Sequence, residues 1–237
     1  MEERTLARVG AVAAMAGAVV GLVFNVLHPR PDDIDSVLSE LEMVQDSSIW
    51  LFDHYMLGIA IALGLLGGVA ISRSYAEESA RSWGRFALVA QIIGVAIGFL
   101  TISVDGMIMD KVTGEWAAAG GGTGTPEFVT AAAVANVSLG LFTALIGSLF
   151  GVTATLFGLA GLSSATYPRW LGVLVLAGGV LGFAAATIQF LGGISDLSAT
   201  VLFLPASIAF TVWLFASGWY LWQRTSREPE VTRVPVP

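Results

Sequence analysis

Residues 84–109 read GRFALVAQIIGVAIGFLTISVDGMIM, and this stretch decides the fold class. Its charged side chains are Arg85 at the start and Asp105 near the end. The apolar run between them matches the roughly 20 residues with which an α-helix crosses the hydrocarbon core of a bilayer. Within it Gln91, Gly94, Gly98, Thr101 and Asp105 recur in steps of three and four, so glycine and polar side chains share one helix face. In lipid that face belongs against other helices, because polar groups are costly among acyl chains and small residues let backbones approach closely.

Five more runs of this kind follow when the reading moves outward. With the first, they span about Leu6 to His28, Ser48 to Ile71, Gly84 to Met109, Phe128 to Leu162, Trp170 to Gly192 and Leu197 to Trp222. The predicted fold is an all-α polytopic membrane bundle of six transmembrane helices over residues 1–223, with a disordered cytoplasmic tail over 224–237. The first run resembles a signal peptide in following Arg4 and Arg8. It continues, however, through Asn25 into His28-Pro29-Arg30-Pro31 without a small-residue cleavage pattern, and is read as a retained span. The fourth run exceeds bilayer thickness and should tilt or project into water.

Composition agrees. Of 237 residues 55% are hydrophobic and 12% are charged, about half the charge of an ordinary soluble domain. A net charge of −7 without a basic stretch excludes a nucleic-acid binder. Zero cysteines exclude disulfides, thiolate metal sites and cysteine catalysis.

Positive charge sets the orientation. With the N-terminus inside, the inner segments hold Arg4, Arg8, Arg73, Arg81, Arg85, Arg169, Arg224, Arg227 and Arg233, and the outer ones only Arg30 and Lys111. The expected location is the inner cell membrane, multi-pass, with both termini cytoplasmic. Trp50 and Trp116 fit the outer interface, and Trp83, Trp170, Trp219 and Trp222 the inner one. In the outer connection from Pro29 to Ser47, Ile34, Val37, Leu38, Leu41 and Val44 have helical spacing and predict a short helix on the headgroups. The second outer loop, Gly114 to Pro126, is glycine-rich, and Thr125-Pro126-Glu127 marks the start of the fourth helix.

Small-residue stripes extend through other spans: Gly17, Gly21, Asn25, His28 in the first; Asn136, Gly140, Thr143, Gly147, Gly151, Ala154, Gly158 in the fourth; Gly178, Gly182, Ala185, Gln189 in the fifth. An exposed stripe at Ala206, Ala209 and Ala216 in the last span is the candidate surface for a homo-oligomer or membrane partner. The third and fifth spans match without gaps at an offset of 84, as Arg85/Arg169, Gly94/Gly178, Gly98/Gly182 and Phe99/Phe183 show. A duplicated hairpin, spans two and three repeated as four and five, is one explanation; coincidence among glycine-rich helices is the other.

The polar intramembrane residues gather at one depth: Asn25, His28, Asp53, His54, Asp105, Asn136 and Gln189 all fall in the outer half. Three readings are open. Helix-end capping and interhelical hydrogen bonds explain many of the positions. A small-ligand, ion or proton site would pair Asp105 with a histidine, with Asn25, Asn136 and Gln189 supplying hydrogen bonds. A metal site would use His28, His54 and Asp105, the donor types of a two-histidine, one-carboxylate centre, although no local spacing such as HExxH supports it. Only that third reading gives an enzyme. Serine-hydrolase, phosphate-loop and dinucleotide fingerprints are lacking, and no cofactor is indicated.

At Tyr167-Pro168-Arg169-Trp170-Leu171-Gly172 and the glycine-rich run to Gln189, the chain resembles a family of uncharacterised six-helix prokaryotic membrane proteins, a domain of unknown function with a Pro-Arg-x-Leu-Gly approach to the fifth helix. The resemblance implies the six-span architecture, the long fourth helix and the extended first outer loop. It implies no activity and carries over no site residues.

Overall fold

The computed structural model describes residues 2–227. The described residues form helices and no strands: α1 (Glu2–Leu27), α2 (Val37–Asp46), α3 (Trp50–Ser74), α4 (Glu78–Ala118), α5 (Pro126–Leu162), α6 (Arg169–Gly192) and α7 (Leu197–Ser226). All except α2 are long and apolar enough to cross a membrane. A helix satisfies its own backbone, which is why chains of this composition cross lipid in that form.

The six long helices close into a ring. Each packs on the next long helix in sequence, and α7 returns to α1. Glycine makes the contacts close. A Cβ on Gly67 would come 2.6 Å from that of Ala14, one on Gly94 3.1 Å from that of Leu149, one on Gly178 2.8 Å from that of Ala209, and one on Gly182 2.6 Å from the carbonyl oxygen of Phe150. Bulky residues such as Phe86, Val89, Ile92, Ile93, Val173, Val180 and Phe183 point outward. The ring is filled by Phe157, Phe210, Trp213 and Leu214, with the Phe157 and Trp213 rings 4.6 Å apart. Arg4 and Arg8 on α1 donate to the Thr225 carbonyl, and Arg4 also to that of Arg227, so the start of α1 and the end of α7 meet on one side.

Several expectations change. The third span was expected to end near Met109, yet α4 continues to Ala118. Asp110, Lys111 and Glu115 lower its hydropathy without stopping the helix, while Met109, Val112 and Trp116, at helical spacing, are buried. Gly114 is therefore helical, and the turn begins at Gly120 and Gly121, whose φ of 96° and 69° suit glycine. The short helix α2 forms as the spacing predicts, capped by Ser36, whose Oγ accepts from the Ser39 amide. Its apolar face rests on protein: Leu41 and Val44 pack with Trp50, Met109, Val112, Trp116, Ala131 and Ala135. Trp50 and Trp116 are buried within the chain. At the start of α5, Thr125 Oγ1 accepts from the Phe128 amide, as the sequence suggested.

Ala206 and Ala209, the proposed partner stripe, are buried within the chain, with Ala209 against Gly178. Arg224 to Ser226 continue α7 where a disordered tail was expected, and the rest of that tail, residues 228–237, lies outside the described residues. Wider π-helical turns interrupt α4 at Ser103–Ile108, α5 at Ile146–Thr153 and α7 at Leu197–Phe203. The predicted stripe on α5 holds in part: Thr143, Gly147, Gly151 and Gly158 face α6, whereas Asn136 and Gly140 are exposed.

Candidate metal centre

Two helix ends and one π turn bring the polar residues together. Pro29 cannot continue α1, so His28 stands just past its last turn. Asp53 and His54 lie in the first turn of α3, where a carboxylate is favoured by the helix dipole. Asp105 sits inside the π turn of α4. Such a turn disturbs the regular ladder of carbonyl acceptors, and here the buried Trp50 indole fills in. Its Nε1 donates to the carbonyls of Asp105 at 3.1 Å and Gly106 at 3.2 Å. Gly106 keeps the approach open, because a Cβ there would come 2.9 Å from that of His54.

Both imidazoles are oriented through Nδ1. His28 Nδ1 is 2.6 Å from Oδ2 of Asp53, which is fully buried. His54 Nδ1 is 2.8 Å from the Trp50 carbonyl oxygen. A carbonyl or carboxylate oxygen only accepts, so each Nδ1 carries the proton, and each Nε2 is left for another partner. For His54 that partner is Asp105 Oδ2 at 3.1 Å. Asp105 Oδ1 accepts from Ser138 Oγ on α5 at 2.9 Å. The His28 and His54 ring centroids are 5.2 Å apart, and Trp50 lies over His54 at 4.3 Å.

A neutral His54 would turn a bare Nε2 lone pair toward a carboxylate oxygen. Two acceptors at that distance repel, so a proton or a metal cation must stand between them. Metal bonds of about 2.0–2.2 Å separate neighbouring donors by roughly 2.9–3.4 Å, a range that includes this pair. One ligand atom each from His28, His54 and Asp105 lies within 4.8 Å of the other two. The widest gap permitted by that limit would close with a shift of about an ångström, given bonds of that length. His28, 28% exposed and beyond the end of α1, is the ligand freest to make it. Nitrogen and oxygen donors with no thiolate suit zinc, iron, manganese and their neighbours. The hydrogen bonds behind both rings are the usual support of metal-bound histidine.

The other residues expected in this layer are placed elsewhere. Asn25 is exposed, and Asn136 is exposed and donates to the Ala132 carbonyl of its own helix. Gln189 is buried and accepts from Thr143, outside the cluster. Two contributors were missed. Ser138 gives no signal, since helical serines mostly bond to their own backbone. Glu40 did give one: it lies three residues after Val37 and four before Val44, on the apolar face of α2. Burial, followed by the charge of Asp105, pushes its carboxyl up to about 7. An open groove of about 890 Å³ at this end is bordered by Arg30, Asp32, Glu42, Asp46, Trp116 and Gly121, and shares no residue with the cluster. Comparison with protein-family models, curated proteins and solved structures finds no match to the chain, so no relative's activity bears on this centre.

Proposed function

We propose that this is a multi-pass membrane protein that binds one divalent transition-metal ion at the outer end of its helix ring, through His28, His54 and Asp105. The N-terminus and the arginine-rich connections lie in the cytoplasm, which places α2 and the centre on the opposite side. One observation carries the reading: His54 commits Nδ1 to the Trp50 carbonyl while turning Nε2 to Asp105, and His28 is anchored the same way by Asp53. Three protein ligands leave coordination positions open, which suits a centre that acts on a further small ligand better than a purely structural one. Asp53 and the Trp50 carbonyl hold the rings, Ser138 holds Asp105, and Trp50 shields the metal from lipid.

The test is metal content and Co(II) titration of the full chain in detergent. The expected result is about one equivalent bound, a d–d absorption spectrum, and loss of both in His54→Ala and Asp105→Asn. A second reading follows from the same contacts: Asp53–His28 and His54–Asp105 are two imidazole–carboxylate pairs that share protons, with no metal. No uptake of Co(II) or Zn(II) by folded protein would overturn the metal reading in favour of the pairs.

A further inference from the structure

His28 lies 20 residues after Arg8, Asp105 20 after Arg85, and His54 19 before Arg73. At about 1.5 Å per residue each stretch measures roughly 30 Å, the thickness of a hydrocarbon core. With those arginines at the inner boundary, the three ligands fall at the level where outer-leaflet acyl chains join their head groups.

The protein surface changes character at the same level. Asp53 and His54 are buried and Trp50 covers His54, so His28 and Asp105, 28% and 21% exposed, are the parts of the centre that reach the surface. Outward of His28 the surface is polar. Pro29 follows His28 directly and Ile49 precedes Trp50, and both border the open groove of about 890 Å³, whose charged residues are Arg30, Asp32, Glu42 and Asp46. Three carboxylates against one guanidinium suit a head group that carries a positive charge. Inward of His28 the surface is apolar. Phe24, about one helical turn earlier, meets Phe52 edge-on with ring centroids 5.5 Å apart, and Phe52, beside Asp53, is exposed. Polar groove, metal ligand and aromatic pair thus follow one another along the line of α1 in the order of an amphiphile's head, linkage and chain.

We propose that the metal held by His28, His54 and Asp105 receives the phosphate linkage of a zwitterionic outer-leaflet amphiphile, with its head in the groove and its chain along Phe24 and Phe52. This rests on the metal-binding reading above. A phosphate oxygen suits a position left open by two imidazoles and a carboxylate, since a divalent ion binds and polarises such oxygens. The groove and the ring pair supply the selectivity that the ion lacks.

The experiment follows the d–d bands of the Co(II)-loaded full chain in maltoside micelles. The probes are dodecylphosphocholine and glycerophosphocholine, which has the same head and no long chain. In wild type, dodecylphosphocholine is expected to shift the bands at a concentration lower by about tenfold or more. Enrichment in the micelle favours the chain-bearing probe for every variant alike, so the variants carry the assignment. Phe52→Ala is expected to need about tenfold more dodecylphosphocholine and to respond to glycerophosphocholine as wild type does. Phe183→Ala, which removes an exposed ring from α6, should match wild type with both probes. Co(II) uptake by Phe52→Ala shows that its centre has formed; without it, Phe24→Ala takes its place. Glu42→Gln should narrow the preference for dodecylphosphocholine over dodecyl phosphate, which lacks the positive charge, and an unchanged preference would overturn the seat of the head group. Equal responses of Phe52→Ala and Phe183→Ala, equal potency of the first two probes in wild type, or no band shift with either would overturn the amphiphile while leaving the three-residue centre standing. Absence of Co(II) binding in wild type would overturn both.

Discussion

His54 and Asp105, 51 residues apart in sequence, meet at 3.1 Å because a π turn in one helix faces the first turn of another. The His54 ring cannot rotate away to relieve that contact, since its other nitrogen is held by the Trp50 carbonyl and its face by the Trp50 indole. Proton or metal occupancy at one nitrogen therefore decides the charge of the whole cluster.

Gly106 tests whether this geometry governs binding. Its α-hydrogen faces His54, and the Cβ of Gly106→Ala would come 2.9 Å from the His54 Cβ and 3.0 Å from Cγ. The ring must shift, and such overpacking typically costs about 1–3 kcal/mol. Co(II) affinity and thermal midpoint are both expected to fall. Gly140→Ala, whose Cβ would meet nothing within 4 Å, is expected to change neither.

Asp53 acts through His28. In Asp53→Asn the amide can still accept from Nδ1, but the charge that strengthens the imidazole as a ligand is gone. Losses of this kind run to about 10–100-fold in metal affinity. Titration beside His28→Ala separates the two roles: an Asp53→Asn affinity equal to wild type would show that His28 is not a ligand.

The helix seams differ in what they tolerate. At Gly182 an added Cβ would strike the backbone of Phe150, at 2.6 Å from its carbonyl oxygen. At Gly68 it would strike the end of the Gln91 side chain, which can swing away and give up its hydrogen bond to the Gly64 carbonyl. Gly182→Ala is expected to lower the thermal midpoint in detergent more than Gly68→Ala. The reverse order would mean that the α5–α6 seam has room for a methyl group at Gly182.

On the opposite side of the bundle, Glu77 joins two connections by accepting from the Ser164 hydroxyl and the Ala165 amide. The Ser164 hydrogen bond, then the Ala165 one, hold its carboxyl below the usual 4.5. A lowered folded-state value means that the contribution is complete above that usual value and is lost as pH falls through the lowered one. The thermal midpoint of wild type minus that of Glu77→Gln should therefore be positive at neutral pH and shrink on acidification. A difference that grows on acidification contradicts the assignment.

Orientation can be read chemically, because the chain has no cysteine of its own. Gly124→Cys, in the exposed turn before α5, should react with an impermeant maleimide in intact cells. Ser79→Cys, exposed at the start of α4, should react only after permeabilisation.

The six long apolar helices were legible because a bilayer-crossing helix has a characteristic length and polarity. The convergence of His28, Asp53, His54 and Asp105 was legible because the apolar runs in the sequence put all four at one depth. Direction was harder to read. Steps of four drift about 40° each around a helix of 3.6 residues per turn, so Asn25 is turned about 80° from Gly17 while His28 comes back into line. Asn136 was lost for another reason: Thr143, seven residues on and on nearly the same face, still reaches Gln189 three residues before α6 ends, so Asn136 stands about two turns beyond that neighbour. The extra turns of α4 above Met109 have no hydropathy signature. They became visible only through what they pack against, and with them the place of Glu40.

The clasp of Arg4 and Arg8 on the end of α7 has a consequence for biosynthesis. The first helix of the ring holds the last, so the ring cannot shut until α7 has been made. His28, Asp53, His54 and Asp105 have all been made well before that moment. A nascent chain halted after α5 would carry every proposed ligand, and Ser138 beside them, while its first helix still waited for its second neighbour.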